Sequence, residues 1–465
     1  MFLSVTARLA AAAVLATGLS GTAPGPTWRP CTDNAQVDCA TVQVPVDWAR
    51  PQGPKFGLAI ARHRATDPAR RIGSLVYSPA GPGSSGVEFM TNPRYFSLLI
   101  SDPVAQRFDV IGIDPRGVGR SNPVLCSRAL VDRLPTPTAR DTQAQFDTVL
   151  AANRAVVRDC RARTGPVFDH IDSASTARDI DAVRAMLGER TISLYGLSYG
   201  TVAGQLYAEL FPQRIRAMVL DSNIDHSLDS RQAMATGARG GQDSFDEFVT
   251  WCATEPACAL HGKDVRALVG DLYARAERGD PSAPSLQDLT EGILGPLSQP
   301  NRSATANWLA ALPGHPAGPP AAAAAGEVIP LPVTTFCADH RSGITSQERL
   351  LSDWRLANSA APDIRFWSGP TPFLCSGWPL PVSNPQHRLT TRGAPPVLVL
   401  GSRHDPRTPL AWSADVATQL DHAVLLTYDG AGHGVYLRTE CTRGFVERYL
   451  VERRTPPAGT HCPAA

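Results

Sequence analysis

Gly196-Leu197-Ser198-Tyr199-Gly200 is the stretch whose residue types and spacing point most directly to chemistry. A serine hydroxyl is a weak nucleophile until a base takes its proton, and G-x-S-x-G alone is a common pentapeptide. Its surroundings give it meaning. The β-prone run Thr191 to Tyr195 leads straight into it, and a helix-compatible stretch, Val202 to Leu210, leaves it. That is the strand–turn–helix of a nucleophile elbow. Small residues on both sides permit the sharp turn, and the helix N-terminus aims free N–H groups at the site.

An elbow serine calls for an acid and then a histidine later in the chain. Asp405 follows the apolar run Val397 to Leu400, and His433 follows Ala423 to Thr427. Both sit in loops past strand ends, where open α/β sheets build their sites. In this reading His433 takes the Ser198 proton, while Asp405 orients His433 and stabilises its cation. His404 competes as the base, and Asp221, at the end of another strand, competes as the acid. Backbone N–H groups of Tyr199 and of Ala80 or Gly81 are the expected oxyanion donors. The loop Ser78 to Gly86 also carries Gly81, Gly83 and Gly86 as G-x-G-x-x-G, and Asp114 ends the following strand. A non-catalytic or dinucleotide-binding protein using the Gly81–Gly86 loop is therefore a remote alternative. Pro82 stiffens that loop, and an exported protein rarely meets NAD.

These residues need a sheet to hold them. Ser74 to Tyr77, Phe108 to Ile113, Thr191 to Tyr195, Ala217 to Leu220, Val397 to Leu400 and Ala423 to Thr427 are short, continuously apolar runs, as in a parallel sheet covered on both faces. Ser175 to Leu187 has a helical apolar face and is stopped by Gly188. Strands alternating with helices mean an α/β fold: an α/β-hydrolase with a mostly parallel sheet, helices on both faces and an inserted helical cap. Residues 26–227 and 389–465 form the two parts of the core. Residues 228–388 form the cap, with helices at Asp243 to Cys252 and Val265 to Arg278 and a Pro/Gly/Ala loop at Leu312 to Gly326.

The chain has 465 residues, 43% of them hydrophobic, enough for a sizeable core. Its 44 Lys+Arg balance 43 Asp+Glu, which argues against a nucleic-acid partner. Arg8 and the apolar run Leu9 to Leu19 read as a signal over residues 1–25, too short to span a bilayer. No cysteine follows the run to take a lipid anchor. Ten cysteines fit an oxidising compartment. None forms CxxC or a zinc-spaced cluster, so no metal site is expected. Short loops suggest Cys31–Cys39 and Cys252–Cys258; joining the remaining neighbours gives Cys126–Cys160, Cys337–Cys375 and Cys441–Cys462. Spacing alone does not fix the pairing.

PAGPGSSG at Pro79 to Gly86, DPRGVGRS at Asp114 to Ser121, ARDIDAVRAMLG with YGLSYGT up to Thr201, WCATEPAC at Trp251 to Cys258, GSRHDPRTP and GAGHG follow one another along nearly the whole mature chain. On these motifs the chain resembles the secreted tripeptidyl aminopeptidase-like family, relatives of proline iminopeptidases. The resemblance implies release of residues or short peptides from free N-termini by an extracellular enzyme, free or held at the cell wall, with a cap limiting access. An esterase or lipase acting on small acyl substrates stays open. No cofactor is implied, and a monomer is expected. The family's oxyanion loop is usually GGPGG; Ala80 and Ser84 depart from it, which an N–H donor survives. Holding a substrate ammonium needs a carboxylate, for which Asp339 and Glu88 are candidates. Arg116 is expected to brace its loop rather than touch substrate.

Overall fold

A computed structural model of the chain describes residues 25–135, 141–312, 327–365 and 375–465. Residues 1–24 of the expected signal and most of the Pro/Gly/Ala loop lie outside the described residues. The strands are β1 Arg29–Pro30, β2 Asp38–Pro45, β3 Lys55–His63, β4 Gly73–Ser78, β5 Phe108–Ile113, β6 Leu125–Ser127, β7 Ile192–Leu197, β8 Ile215–Asp221, β9 Val328–Pro330, β10 Val397–His404, β11 Val424–Ala431 and β12 Thr460–Cys462. All except β6 and β9 join one sheet, in the order β1-β2-β3-β5-β4-β7-β8-β10-β11-β12. Pairing is parallel from β5 to β12. The β1–β3 end is antiparallel.

The six apolar runs of the sequence are β5, β4, β7, β8, β10 and β11, side by side at the centre of this sheet. Their continuity has a simple cause. Val76, Ile111, Leu194, Met218 and Val399 point into one apolar cluster, while Leu75, Val110, Tyr195, Val219 and Leu398 point into another. Helices cover both faces, so alternate side chains are buried on opposite sides. β2 escaped the sequence reading because it alternates buried with exposed positions, as an antiparallel strand near a sheet edge does. Arg116 is fully buried. It makes a fork to Asp179 at 2.6 and 2.7 Å and donates to the carbonyls of Val46 and His170 at 3.0 Å, bracing its loop as expected.

Between β8 and β10 the helices Ser230–Thr254, Val265–Glu277, Leu286–Ser298, Arg302–Ala311 and Gln347–Ala360 enclose their own core, with Phe245, Phe248, Tyr273, Leu289 and Leu350 inside it. The insertion does not stay apart from the main core. β9 returns to pair with β6, and the helix Thr334–Asp339 buries Cys337 and Ala338 in the main core. β9 is too short to leave a periodic signal in sequence. Ser230–Thr254 carries a glycine at Gly240, where a Cβ would lie 2.3 Å from Pro409 Cγ, in the loop that carries Asp405. All five expected cysteine pairs meet as disulfides, with Cα–Cα separations from 4.3 to 5.7 Å.

Candidate active site

Ser198 leaves β7 with φ of +55°, a left-handed conformation that costs a non-glycine residue about 1–3 kcal/mol and clusters at functional sites. The surroundings enforce it. The Ser198 N–H is held by the Asp221 carbonyl at 2.9 Å, and the Ser198 carbonyl accepts the N–H of Thr201 at 2.9 Å. A Cβ on Gly200 would lie 2.1 Å from the Ser78 carbonyl oxygen, so the helix Gly200–Leu210 begins against the loop leaving β4. The expected oxyanion residues Ala80 and Gly81 follow in that loop, which places them beside the elbow that carries Tyr199.

Asp405 and His433 come together from β10 and β11. His433 Nδ1 lies 2.9 Å from Asp405 Oδ2. The Asp405 carboxylate also accepts the N–H groups of Arg407 at 2.8 Å and Thr408 at 3.0 Å, and the Thr408 hydroxyl at 2.9 Å. Burial works against ionising Asp405, but the charge and hydrogen bond of His433 and the two N–H groups hold its pKa below the ordinary value. With Nδ1–H directed at Asp405, Nε2 carries the lone pair, the tautomer a general base needs. Sequence reasoning missed Thr408, whose hydroxyl also lies 3.2 Å from His433 Nδ1. Its spacing three residues after Asp405, an aspartate-led turn, was the available signal.

The insertion between β8 and β10 grips both loops. The His433 N–H donates to Ser298 O at 2.7 Å, and Arg407 forks onto Glu291 at 2.7 and 3.0 Å. His404 Nδ1 lies 2.8 Å from Asp243, so this competitor is engaged with the helix Ser230–Thr254. Asp221, the competing acid, has its carboxylate taken by the N–H groups of Val435 and Tyr436 and does not bond the His433 ring.

Asp339 is not a free carboxylate for an amine. It is fully buried and accepts the Ser173 N–H at 2.9 Å, the Ser173 hydroxyl at 2.5 Å, the Tyr199 hydroxyl at 2.5 Å and the Asn384 amide at 2.8 Å. Its lone pairs are spent behind Tyr199, which corrects the expectation that it receives substrate. Glu88 is exposed, and its carboxylate has no hydrogen-bond or ion-pair partner among the described residues. It lines a cavity of about 420 Å³ together with Ser84, Phe89 and Tyr95. The dinucleotide alternative also loses its anchor. Asp114 folds back to accept the Val87 N–H at 3.0 Å, the Arg120 N–H at 2.7 Å and the Ser85 hydroxyl at 2.5 Å, filling the place a phosphate would need. Gly86 is explained by packing, since its Cβ would lie 2.2 Å from Ile113 O.

Residues 366–462, which carry Asp405 and His433, match the model of the TAP-like protein family. Over nearly its full length the chain is 32% identical to the serine protease Hip1 of Mycobacterium tuberculosis, covering 94% of this chain and 90% of that protein. The chain belongs to the TAP-like family of α/β-hydrolases. It is a serine hydrolase. Among its relatives, a carboxylesterase B of Mycobacterium tuberculosis is 31% identical over 95% of this chain and 90% of its own length. A tripeptidyl aminopeptidase of Streptomyces lividans is 29% identical over 94% and 86%. TAP-like relatives thus bear peptidase and esterase names at nearly equal similarity. Among the described residues no helix is long and apolar enough to cross a membrane.

Proposed function

We propose that this protein is an exported exopeptidase that releases residues or short peptides from free N-termini through an acyl-enzyme on Ser198. The observation that carries the reading is the 2.9 Å contact between His433 Nδ1 and Asp405, in loops that leave the same sheet end as the strained Ser198. His433 takes the Ser198 proton as Oγ attacks the scissile carbonyl. The oxyanion then draws on the N–H groups of Tyr199 and of Ala80 or Gly81. His433 returns the proton to the leaving amine, and water, activated by the same base, releases the acyl group. The disulfides support export to an oxidising compartment. The cap over residues 228–388 limits which substrates reach the serine.

The unpaired Glu88 carboxylate in its aromatic-walled cavity supports a peptidase, because carboxylate and ring faces together suit an ammonium group. The similarity to a carboxylesterase favours the second reading, acyl ester hydrolysis by the same residues. Turnover of a free-amine peptide amide, its N-acetylated form and a simple acyl ester separates the two. The peptidase reading expects the free-amine peptide to be cleaved and the acetylated one spared. Turnover of the ester alone contradicts it.

A further inference from the structure

Asp221 ends β8 with its side chain wholly buried. Its backbone carbonyl holds the N–H of Ser198 at 2.9 Å. Its carboxylate accepts the Val435 N–H at 2.8 and 3.0 Å, the Tyr436 N–H at 3.0 Å, the Tyr195 hydroxyl at 3.2 Å and the Ser222 hydroxyl at 3.2 Å. Every partner donates, the set an ionised carboxylate requires. Val435 and Tyr436 lie just beyond His433-Gly434, and the Ser222 hydroxyl also accepts the Gly434 N–H at 2.8 Å. One residue therefore grips the turn that carries Ser198 and the loop that carries His433.

That connection spans the sheet. β7 and β11 are separated by β8 and β10, so the serine and histidine leave strands three steps apart, roughly 14 Å at the usual strand spacing. Catalytic groups must hold their mutual geometry to within roughly 0.5 Å, and loops on distant strands do not do so unaided. We propose that Asp221 is a positioning residue that sets His433 against Ser198 and adds a second carboxylate charge in support of the imidazolium.

The inference rests on Ser198 being the nucleophile. Tyr195, Tyr77 and Tyr436 are the other titratable groups around Asp221. Asp405 and Arg438 are the charged groups at His433, the latter donating to the His433 carbonyl at 2.6 Å. Burial pushes the Asp221 carboxyl upward, and the Tyr436 and Val435 N–H groups and the positive charge of His433 oppose that rise.

The test is the second-order rate constant for fluorophosphonate labelling of the full mature chain, followed across pH, in Asp221→Asn and Ser222→Ala. Asp221→Asn is expected to slow labelling roughly tenfold to a hundredfold, the scale of a misplacement near 1 Å. It should also move the acid limb of the profile to lower pH, since the imidazolium has lost a carboxylate. Ser222→Ala, which frees the Gly434 N–H, is expected to slow labelling less and leave the limb in place. A wild-type rate constant and limb in Asp221→Asn overturn the proposal. So does a smaller labelled fraction reacting at the wild-type rate, which marks a folding role only. Should Asp221→Asn fail to fold, a wild-type rate in Ser222→Ala overturns it. Wild-type labelling of Ser198→Ala would instead overturn the nucleophile itself.

Discussion

The Tyr199 hydroxyl donates a 2.5 Å hydrogen bond to Asp339. Tyr199 follows Ser198, the proposed nucleophile, and its backbone N–H is a proposed oxyanion donor. Asp339 ends the helix Thr334–Asp339, which the Cys337–Cys375 disulfide ties down. The returning part of the insertion is thus fastened to the residue that follows Ser198.

This contact predicts a pH-dependent stability difference. Burial, and next the charge of Asp172, raise the Asp339 carboxyl from 3.8 to about 7. Between those values the folded chain holds a proton that the unfolded chain has released, so this group's contribution to stability falls as pH rises. Asp339→Asn cannot ionise. Denaturant unfolding of wild type and variant from pH 4 to 8 is expected to show wild type losing ground to the variant across that window. A constant gap contradicts the account.

His226 works in the opposite direction. Burial, and next the charge of His387, lower it from 6.5 to about 4, and its ring meets that of His340 at 4.9 Å. Within that interval the unfolded chain binds a proton the folded chain refuses, so stability is lost as pH falls below 6.5. His226→Gln is expected to unfold less steeply with acid than wild type. An equal loss of melting temperature between pH 7 and pH 5 in both proteins would refute this.

Thr408 and Asp405 act on the same ring nitrogen and should differ in degree. Asp405→Asn is expected to lower kcat by roughly four orders of magnitude, because the amide favours the wrong tautomer. Thr408→Val removes one hydroxyl from Asp405 and should lower kcat by roughly tenfold, the scale of one hydrogen bond to a charged group. Both variants should keep KM near wild type. A Thr408→Val enzyme with full kcat removes Thr408 from the site.

The parts legible in sequence were those with local causes. The central strands are continuous apolar runs because helices cover both faces, and Ser198, Asp405 and His433 sit in turns just beyond them. Asp339 was misread because its partners Ser173, Tyr199 and Asn384 lie 166, 140 and 45 residues away, and only the fold reveals that they spend its lone pairs. Asp221 was weighed as an acid for the same reason: a strand-end carboxylate looks alike in sequence whether it faces an imidazole or backbone N–H groups.

The central claim is that Ser198 is a nucleophile activated by His433. Its most direct measurement is covalent labelling of the purified enzyme by a fluorophosphonate, with the adduct located by mass spectrometry. One adduct is expected, on Ser198, which is absent in Ser198→Ala and formed far more slowly in His433→Ala. Equal labelling of wild type and Ser198→Ala would contradict it.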